Sequence, residues 1–241
     1  MPTILAIETS SELASCALLR GATVTCRDSS GVRTHSQSIL PMVQALLAEA
    51  GIALADCDAI AYGAGPGSFT GVRTACGIAQ GLAFGAGLPA VPVITLEAMA
   101  LACHQRDGAN DVLAILDARM GEVYWARYRY ADGDAAARVV GAPALSAPGA
   151  VVFDDAVTAC GNGLSAYPEA FAGRARGAHA EREAIMPHAR QIALLGRAAF
   201  AAGAVVAAAE AQPLYLRNKI AFTSAERFDM QQAKAALEAG R

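Results

Sequence analysis

Residues 63–73 read GAGPGSFTGVR, and the choice of fold depends on what this glycine-rich stretch connects. The segment DAIAY (58–62) before it is apolar and predicts a short strand, while TACGIAQGLAFGAG (74–87) after it predicts a helix. Proline fixes its own φ and glycine accepts positive φ, so Gly65-Pro66-Gly67 predicts a tight turn between strand and helix. The stretch therefore indicates an α/β fold, in which strands and helices alternate.

Two interpretations of this turn stay open. The stretch lacks the lysine that a GxxxxGK[ST] phosphate loop needs, and its glycine spacing also differs from GxGxxG. Ser68 or Thr70 can cap the helix that follows, and a capped helix start with glycines in front can hold an anion. A purely structural strand-to-helix turn is the alternative that the spacing favours.

The helix after the turn carries glycine at every fourth position, namely Gly77, Gly81 and Gly85. Each glycine inside a helix costs about 0.5–1 kcal/mol relative to alanine, so three on one face favour the close approach of another backbone. That backbone belongs either to the sheet beneath or to a helix of another subunit. HSQSILPMVQALLAEAG (35–51) predicts a neighbouring helix with more apolar residues than one stripe against a sheet requires. The two helices together therefore predict an association surface.

The start of that neighbouring helix is also open. If Ser38 is its N-cap, Pro41 lies in the first turn, where proline is tolerated. If the helix starts earlier, Pro41 lies inside it and is expected to kink it. Gly51 is well placed as the C-terminal cap.

The chain repeats its strand and helix pattern. Strands are predicted at 3–7, 15–19, 22–27 and 89–95, and the pattern restarts after the polar segment 106–110. In residue type, DAVTACGNG (155–163) repeats DAIAYGAG (58–65), which indicates two related halves of one architecture. We therefore predict an N-terminal domain at 1–107, a C-terminal domain at 108–220 and a C-terminal tail at 221–241.

One further helix is predicted to close the second half, and an extended segment is predicted to follow it. An alanine-rich helix is expected over about 188–210, and PLYLRN (213–218) is expected to follow as an extended strap. Thr95 is the predicted N-cap of a third helix, LEAMALACHQR (96–106).

Composition narrows the class of protein. The 241 residues carry a net charge of -3, which argues against a protein that binds nucleic acid through its own basic surface. The N-terminus has no basic region of the signal-peptide type, and no apolar run approaches the roughly 20 residues of a membrane span, so a cytoplasmic protein without a membrane segment is expected. The six cysteines are scattered and contain no CxxC pair, which favours buried free thiols.

Five segments together resemble one known family. They are ILAIETSS, RTHSQSILPMV, GAGPGSFTGVRTACGIAQGLAFG, LDARMGEVYWARY and QPLYLRNKI, and they span residue 3 to about residue 220. GPGSFTGVR and DARMGEVY are the most specific, and the chain is identified as a member of the TsaB (YeaZ) family. The resemblance implies two ribonuclease-H-like halves of the actin, sugar kinase and Hsp70 type, hinged at a cleft.

The resemblance also implies a role and partners. TsaB supports a catalytic paralogue, TsaD, and works with an ATPase, TsaE. TsaD moves a threonylcarbamoyl group onto the adenosine beside the anticodon in tRNAs that read codons starting with A. The implied contact with tRNA is through the complex alone. A stand-alone ATPase or phosphotransferase of the same fold is the alternative function.

TsaB proteins pair with TsaD, or with themselves, through two helices that correspond here to about 35–50 and 70–86. The resemblance therefore implies a partner interface, whose expected residues are His35, Ile39, Met42, Val43, Leu46, Thr70, Arg73, Thr74, Gly77, Ile78, Gly81 and Gly85.

A catalytic site and a metal site are not expected. The catalytic relative uses an HxxxH pair to bind a metal, because four-residue spacing places both imidazoles on one face of a helix. No two of His35, His104, His179 and His188 have that spacing. Ser68 has no evident histidine and aspartate partners for a nucleophilic triad, so it is expected to act as a cap.

Nucleotide contact is a separate expectation. In actin-like folds, acidic residues at the first turns of both halves hold magnesium and phosphate, and Glu8 and Asp117 occupy those places by topology. Arg119 can instead pair with Asp117 or with Glu122. No tightly bound cofactor is expected, and weak binding of ATP or ADP with magnesium is expected at the junction with the partner. The expected contact residues are Glu8, Thr9, Ser10, Asp117 and Arg119.

Overall fold

A computed structural model describes residues 1–29, 35–131, 137–152, 157–172 and 180–217 of the chain. The strands are β1 (Ile4–Glu8), β2 (Ala14–Arg20), β3 (Thr23–Ser29), β4 (Ala59–Gly65), β5 (Ala90–Ile94), β6 (Asp111–Arg119), β7 (Glu122–Tyr130), β8 (Ala137–Ser146) and β9 (Thr158–Cys160). The helices are α1 (His35–Ala50), α2 (Phe69–Ala86), α3 (Thr95–Asp107), α4 (Gly163–Ala166), α5 (Pro168–Phe171), α6 (Ala180–Glu183) and α7 (Ala189–Ala201). The predicted tail at 221–241 lies outside the described residues.

The strands form two sheets with the same plan. The first has the order β3-β2-β1-β4-β5 and the second the order β8-β7-β6-β9. In each sheet the first three strands form an antiparallel meander, and the next strand along the sheet pairs parallel with the first strand of that meander. β4 and β9 therefore occupy equivalent places, which confirms the two related halves that the sequence repeat predicted.

Alternate residues of the central strand β1 point to opposite faces of the first sheet, and both faces are buried. Leu5 and Ile7 belong to a core shared with α1 and α2, whereas Ile4 and Ala6 belong to a core shared with α7. Both sets are fully buried. A strand of five consecutive buried residues is typical of a sheet covered on both sides.

Two helices of 13 residues, α3 and α7, cross between the halves. α3 follows β5 of the first sheet, yet it packs on β6 and β7 of the second sheet. α7 follows the second sheet, yet it packs on β1, β2 and β4 of the first sheet, and it also contacts α3. The middle of the molecule is therefore a helical layer, in which α3 packs on the second sheet and α7 packs on the first.

The predicted helix over 188–210 is too long. α7 ends at Ala201, and Gly203 follows with a φ of 75°. Beyond it, Val206 and Ala90 exchange two backbone hydrogen bonds of 2.9 and 3.0 Å, so this part of the chain is extended along the sheet edge. Glycine and alanine composition alone did not reveal the break, which depends on that long-range pairing.

Two smaller predictions have clear outcomes. α1 begins at His35, so Pro41 lies inside the helix rather than in its first turn. Gly51 directly follows α1 with a φ of 64°, as expected of a C-terminal glycine. None of the helices in the described part of the chain has the length and apolar content that crossing a bilayer requires.

Candidate partner surface and interlobe cleft

The glycine-rich turn packs against the turn that follows β1. The backbone N–H of Ser68 donates to the carbonyl oxygen of Ser10 at 2.8 Å, and the hydroxyl of Thr9 donates to the carbonyl oxygen of Gly71 at 2.7 Å. Gly65 precedes a cis peptide bond to Pro66 and has a φ of 105°, which favours glycine. Two segments about sixty residues apart are thereby fixed to each other.

The close packing explains the remaining glycines of the turn. A Cβ atom on Gly71 would overlap the carbonyl oxygen of Thr9, and one on Gly67 would lie 2.6 Å from the Cβ of Ser10. The space in front of the helix start is thus filled by the protein's own backbone. Of the two open interpretations, the structure supports the strand-to-helix turn.

The capping predictions differ in outcome. The hydroxyl of Ser68 accepts from the backbone N–H of Gly71, which confirms Ser68 as the N-cap of α2. Thr95 is not the N-cap of α3, because Ile94 holds that position. The hydroxyl of Thr95 instead accepts from the backbone N–H of Gly65 at 3.0 Å and so anchors the turn.

The acid at the end of β1 is enclosed. Glu8 is fully buried, its Oε1 accepts from the backbone N–H of Ser10, and its Oε2 has no hydrogen-bond partner among the described residues. Burial raises the pKa of the Glu8 carboxyl above its ordinary value of 4.5, although hydrogen bonds from Ser10 and Thr9 act in the opposite direction. Gly63 adjoins this carboxyl so closely that a Cβ there would overlap Oε2.

These positions correct part of the expected nucleotide set. The side chains of Glu8 and Thr9 are both fully buried and do not face the cleft between the halves. Ser10, Asp117 and Arg119 do line that cleft, so the structure brings three of the five residues together. Nucleotide binding itself stays a prediction.

A pH series should reveal the buried acid. A carboxyl whose pKa is higher in the folded than in the unfolded protein contributes its stabilisation fully below pH 4.5 and loses it as the pH rises toward the folded-state pKa. Glu8→Gln keeps the shape of the neutral acid and cannot ionise. We therefore expect the free energy of unfolding of the variant, measured by urea unfolding, to increase relative to that of the wild type as the pH rises from 4 to 7. A constant difference across this range would contradict a raised pKa.

The two halves face each other across a cleft with a cavity of about 510 Å³. Its walls come from the turn after β1, the start of α2, the β6–β7 hairpin and the segment 214–217. Arg119 spans the cleft, because its guanidinium lies 3.1 Å from the carboxylate of Asp117 in the second half and 3.2 Å from that of Glu12 in the first. The predicted pairing of Arg119 with Asp117 is thus confirmed.

The predicted strap crosses from one half to the other, which the sequence did not indicate. Near its start, the hydroxyl of Tyr62 is hydrogen-bonded to both the N–H and the carbonyl of Gln212, each at 3.0 Å. Near its end, Arg217 donates to the carbonyl oxygen of Ala118 and forms an ion pair of 2.6 Å with Glu122. The strap therefore links β4 of the first half to the β6–β7 hairpin of the second.

The inner faces of α1 and α2 belong to the core. Ile39, Val43 and Leu46 are 0%, 3% and 1% exposed and pack against the first sheet. This corrects the expected interface, because no partner can reach these three side chains while α1 lies on its sheet. The helical period places them on one face, but the period alone does not say which face is covered.

Within the described part of the chain, the outer face of α2 is uncovered. Thr70, Arg73 and the three glycines are exposed, and Thr74 and Ile78 are half-buried. A Cβ atom on Gly77, Gly81 or Gly85 would meet nothing within 4 Å, so the sheet beneath does not explain these glycines. We call this stripe, residues 70, 73, 77, 81 and 85, the glycine face. His35 and Met42 of α1 are half-buried.

The histidines in the described residues have structural partners. His104 stacks on the ring of Tyr130 at 4.1 Å between centroids, and His188 caps α7 and lies 2.8 Å from the carboxylate of Asp28. His35 contacts the carbonyl oxygen of Glu12 at 3.2 Å. Within the described ranges no three His, Cys, Asp or Glu side chains are grouped as a metal site would require. His179 lies outside those ranges.

Two sheets of one plan, with a helical layer and a cleft between them, define the actin, sugar kinase and Hsp70 class of fold. A family model described as "TsaD: tRNA N6-adenosine threonylcarbamoyltransferase" matches residues 27–225. The chain is 42% identical over 225 residues to the tRNA threonylcarbamoyladenosine biosynthesis protein TsaB of Escherichia coli K12, covering 91% of this chain and 96% of that protein. It is 36% identical over 227 residues to TsaB of Haemophilus influenzae, covering 90% and 94%.

A solved structure agrees with this assignment. YeaZ from Pseudomonas aeruginosa superimposes with a TM-score of 0.82 at 40% sequence identity, covering 90% of this chain and all of that one. The chain belongs to the TsaB (YeaZ) family of tRNA threonylcarbamoyladenosine biosynthesis proteins.

Proposed function

We propose that this chain is a non-catalytic subunit that binds and activates a TsaD-type threonylcarbamoyltransferase through the outer faces of α1 and α2. The single observation that carries the proposal is the glycine face, which is exposed and has open space above Gly77, Gly81 and Gly85. Its members lie at three- or four-residue intervals and so form one stripe along the helix.

The glycine face lowers the stability of α2, and no contact among the described residues compensates for that loss. Each of the three glycines weakens α2 by about 0.5–1 kcal/mol relative to alanine, and none relieves a clash within the fold. Missing side chains allow two helix backbones to approach closely, and ridges of the partner helix can then enter the groove. The exposed ring of Phe84, which is 80% exposed, extends this apolar surface toward the end of α2.

Two observations favour support of a catalytic chain over catalysis. The family model that the chain matches is that of a threonylcarbamoyltransferase. The sequence of this chain nevertheless has no HxxxH pair, which supplies the histidine ligands in the catalytic relative. Two relatives that it matches along 96% and 94% of their length carry the name TsaB instead.

A TsaE-type ATPase is the proposed third protein, and self-association through the same helices is proposed for the free chain. The net charge of -3 supports contact with tRNA through the complex rather than by this chain alone. Ser10, Asp117 and Arg119 support weak binding of ATP or ADP with magnesium at the partner junction.

Reconstitution tests the proposal directly. The TsaD-type and TsaE-type proteins, ATP, threonylcarbamoyl-adenylate and unmodified tRNA are combined with and without this chain, and threonylcarbamoyladenosine in the digested tRNA is quantified by mass spectrometry. We expect co-purification with the TsaD-type protein and modification that requires this chain. Equal modification without it, or modification by this chain without the TsaD-type protein, would overturn the proposal. ATP turnover by the isolated chain would favour the ATPase alternative.

A further inference from the structure

We infer that Phe69, Arg73 and Tyr215 form a receptor for a carboxylate of the partner, and that this receptor favours a different protein over a second copy of this chain. We call these three residues the arginine platform. The inference rests on the proposed function, because it specifies the partner chemistry at one end of the glycine face.

The platform holds its guanidinium in place from two sides. The guanidinium carbon of Arg73 lies 3.8 Å from the ring centroid of Phe69, and its Nε donates to the phenol oxygen of Tyr215 at 2.6 Å. The two rings contact each other with centroids 5.9 Å apart. An arginine fixed in this way loses little conformational freedom when it binds a ligand.

The charge of the platform is not balanced within the described part of the chain. Arg73 has no ion pair with a described carboxylate, whereas the exposed Arg27 pairs with Glu49 at 2.6 Å and Arg119 pairs with Glu12 and Asp117. An exposed guanidinium that is held in place without a counter-charge favours an anion supplied from outside.

The chemistry of the donors indicates a carboxylate. The phenol oxygen of Tyr215 accepts from Arg73, which leaves the phenol hydrogen free to donate, and the terminal nitrogens of Arg73 have only hydrogens to offer. A group that accepts several hydrogen bonds and donates none satisfies this arrangement. Arg73 is the only charged residue of α2, and a nucleic acid backbone requires several cations, so a side-chain carboxylate fits better.

The position of the platform ties it to the proposed interface. Arg73, Gly77 and Gly81 follow each other at four-residue spacing and therefore lie on one stripe of α2. Phe69 and Tyr215 are 37% and 45% exposed, so a chain lying on the glycines can reach all three residues of the platform. Arginine and tyrosine are among the residues enriched at interface positions of large energetic effect.

The two pairing helices of a second copy supply no unpaired carboxylate opposite Arg73. The sequence of α1 and α2 contains one carboxylate, Glu49, which lies at the end of α1 and already pairs with Arg27. A symmetric pairing through these helices would therefore bury Arg73 of both copies without an anion, which is costly. A partner with an aspartate or glutamate opposite Arg73 avoids that cost, so the platform provides selectivity between partner and self.

Binding measurements on the full-length chain test the inference. Arg73→Met retains much of the apolar contact with Phe69 but removes the charge and the donors. We expect its dissociation constant for the TsaD-type protein to rise about 10- to 100-fold, the range for lost charge-assisted hydrogen bonds. Self-association, measured by analytical ultracentrifugation, should be unchanged or tighter. Arg138→Met, on the exposed strand β8 of the other half, is the matched control and should change neither value.

The outcomes separate the inference from the function on which it rests. If the wild-type chain does not bind the TsaD-type protein, the proposed function fails and the inference fails with it. If the wild type binds and Arg73→Met binds equally well, or if the variant weakens self-association as much, only the inference is overturned. A loss that occurs only when ATP is present identifies phosphate as the acceptor and also overturns it. Tyr215→Phe, which retains the ring, should give a smaller loss in the same direction.

Discussion

Replacing Gly71 with alanine is expected to destabilise the folded chain by about 3–5 kcal/mol. The added Cβ would overlap the carbonyl oxygen of Thr9, which is backbone and cannot move aside without displacing the turn after β1. Overpacking of this kind costs about 1–3 kcal/mol, and each hydrogen bond broken between the two turns costs about 1 kcal/mol more. The free energy of unfolding, obtained from denaturant titration followed by circular dichroism, measures the effect.

Gly81→Ala is the matched control in the same helix. Open space surrounds Gly81, so alanine there should raise the free energy of unfolding by about 0.5–1 kcal/mol through its better helix propensity. The two glycines should thus respond to the same substitution with opposite signs. A Gly71→Ala protein with wild-type stability would show that the loop tolerates a side chain and that its packing against Thr9 is not restrictive.

Gly81→Leu is expected to weaken binding to the TsaD-type protein at least about 100-fold, or about 2.7 kcal/mol. A leucine side chain in the middle of the glycine face would separate the two helix backbones that the proposal brings together. The free chain should remain folded, because nothing within 4 Å of the new Cβ obstructs it. Isothermal titration calorimetry gives the dissociation constant, and circular dichroism verifies the fold.

The control for this variant is an exposed glycine in the other half. Gly149 also has open space around its added Cβ, and Gly149→Leu should bind the TsaD-type protein like the wild type. If Gly81→Leu binds with unchanged affinity while Gly149→Leu does not, the partner contacts the second half and the proposed interface is misplaced.

Local sequence signals predicted the turn and the doubling of the fold. Gly65-Pro66-Gly67 restricts the backbone by itself, and Ser68 caps α2 from an adjacent position. Neighbouring residues therefore suffice to predict the turn and the helix cap. Long-range features were missed. Thr95 has the residue type of an N-cap, but its hydroxyl binds Gly65, thirty residues earlier. β8 has an irregular pattern of half-buried residues, which gives no two-residue period to detect.

The candidate surface was predicted in part for a similar reason. Glycine at every fourth position indicates that another backbone approaches the helix closely, but it does not identify that backbone. The structure shows that it is not the protein's own sheet. Helical spacing identified Ile39, Val43 and Leu46 as one stripe without revealing that this stripe is the buried one. The arginine platform has no local signal, because 142 residues separate Arg73 from Tyr215.

The crossing of α7 to the first sheet has a consequence for synthesis on the ribosome. Ile192 and Ala193 cover one side of a sheet whose own strands are complete by Ile94. A nascent chain that has emerged only as far as residue 107 thus displays Ile4 and Ala6 of its central strand without that lid. This side of the sheet is therefore buried only after α7 has been synthesised, so we expect the first half to depend on the end of the chain for its stability.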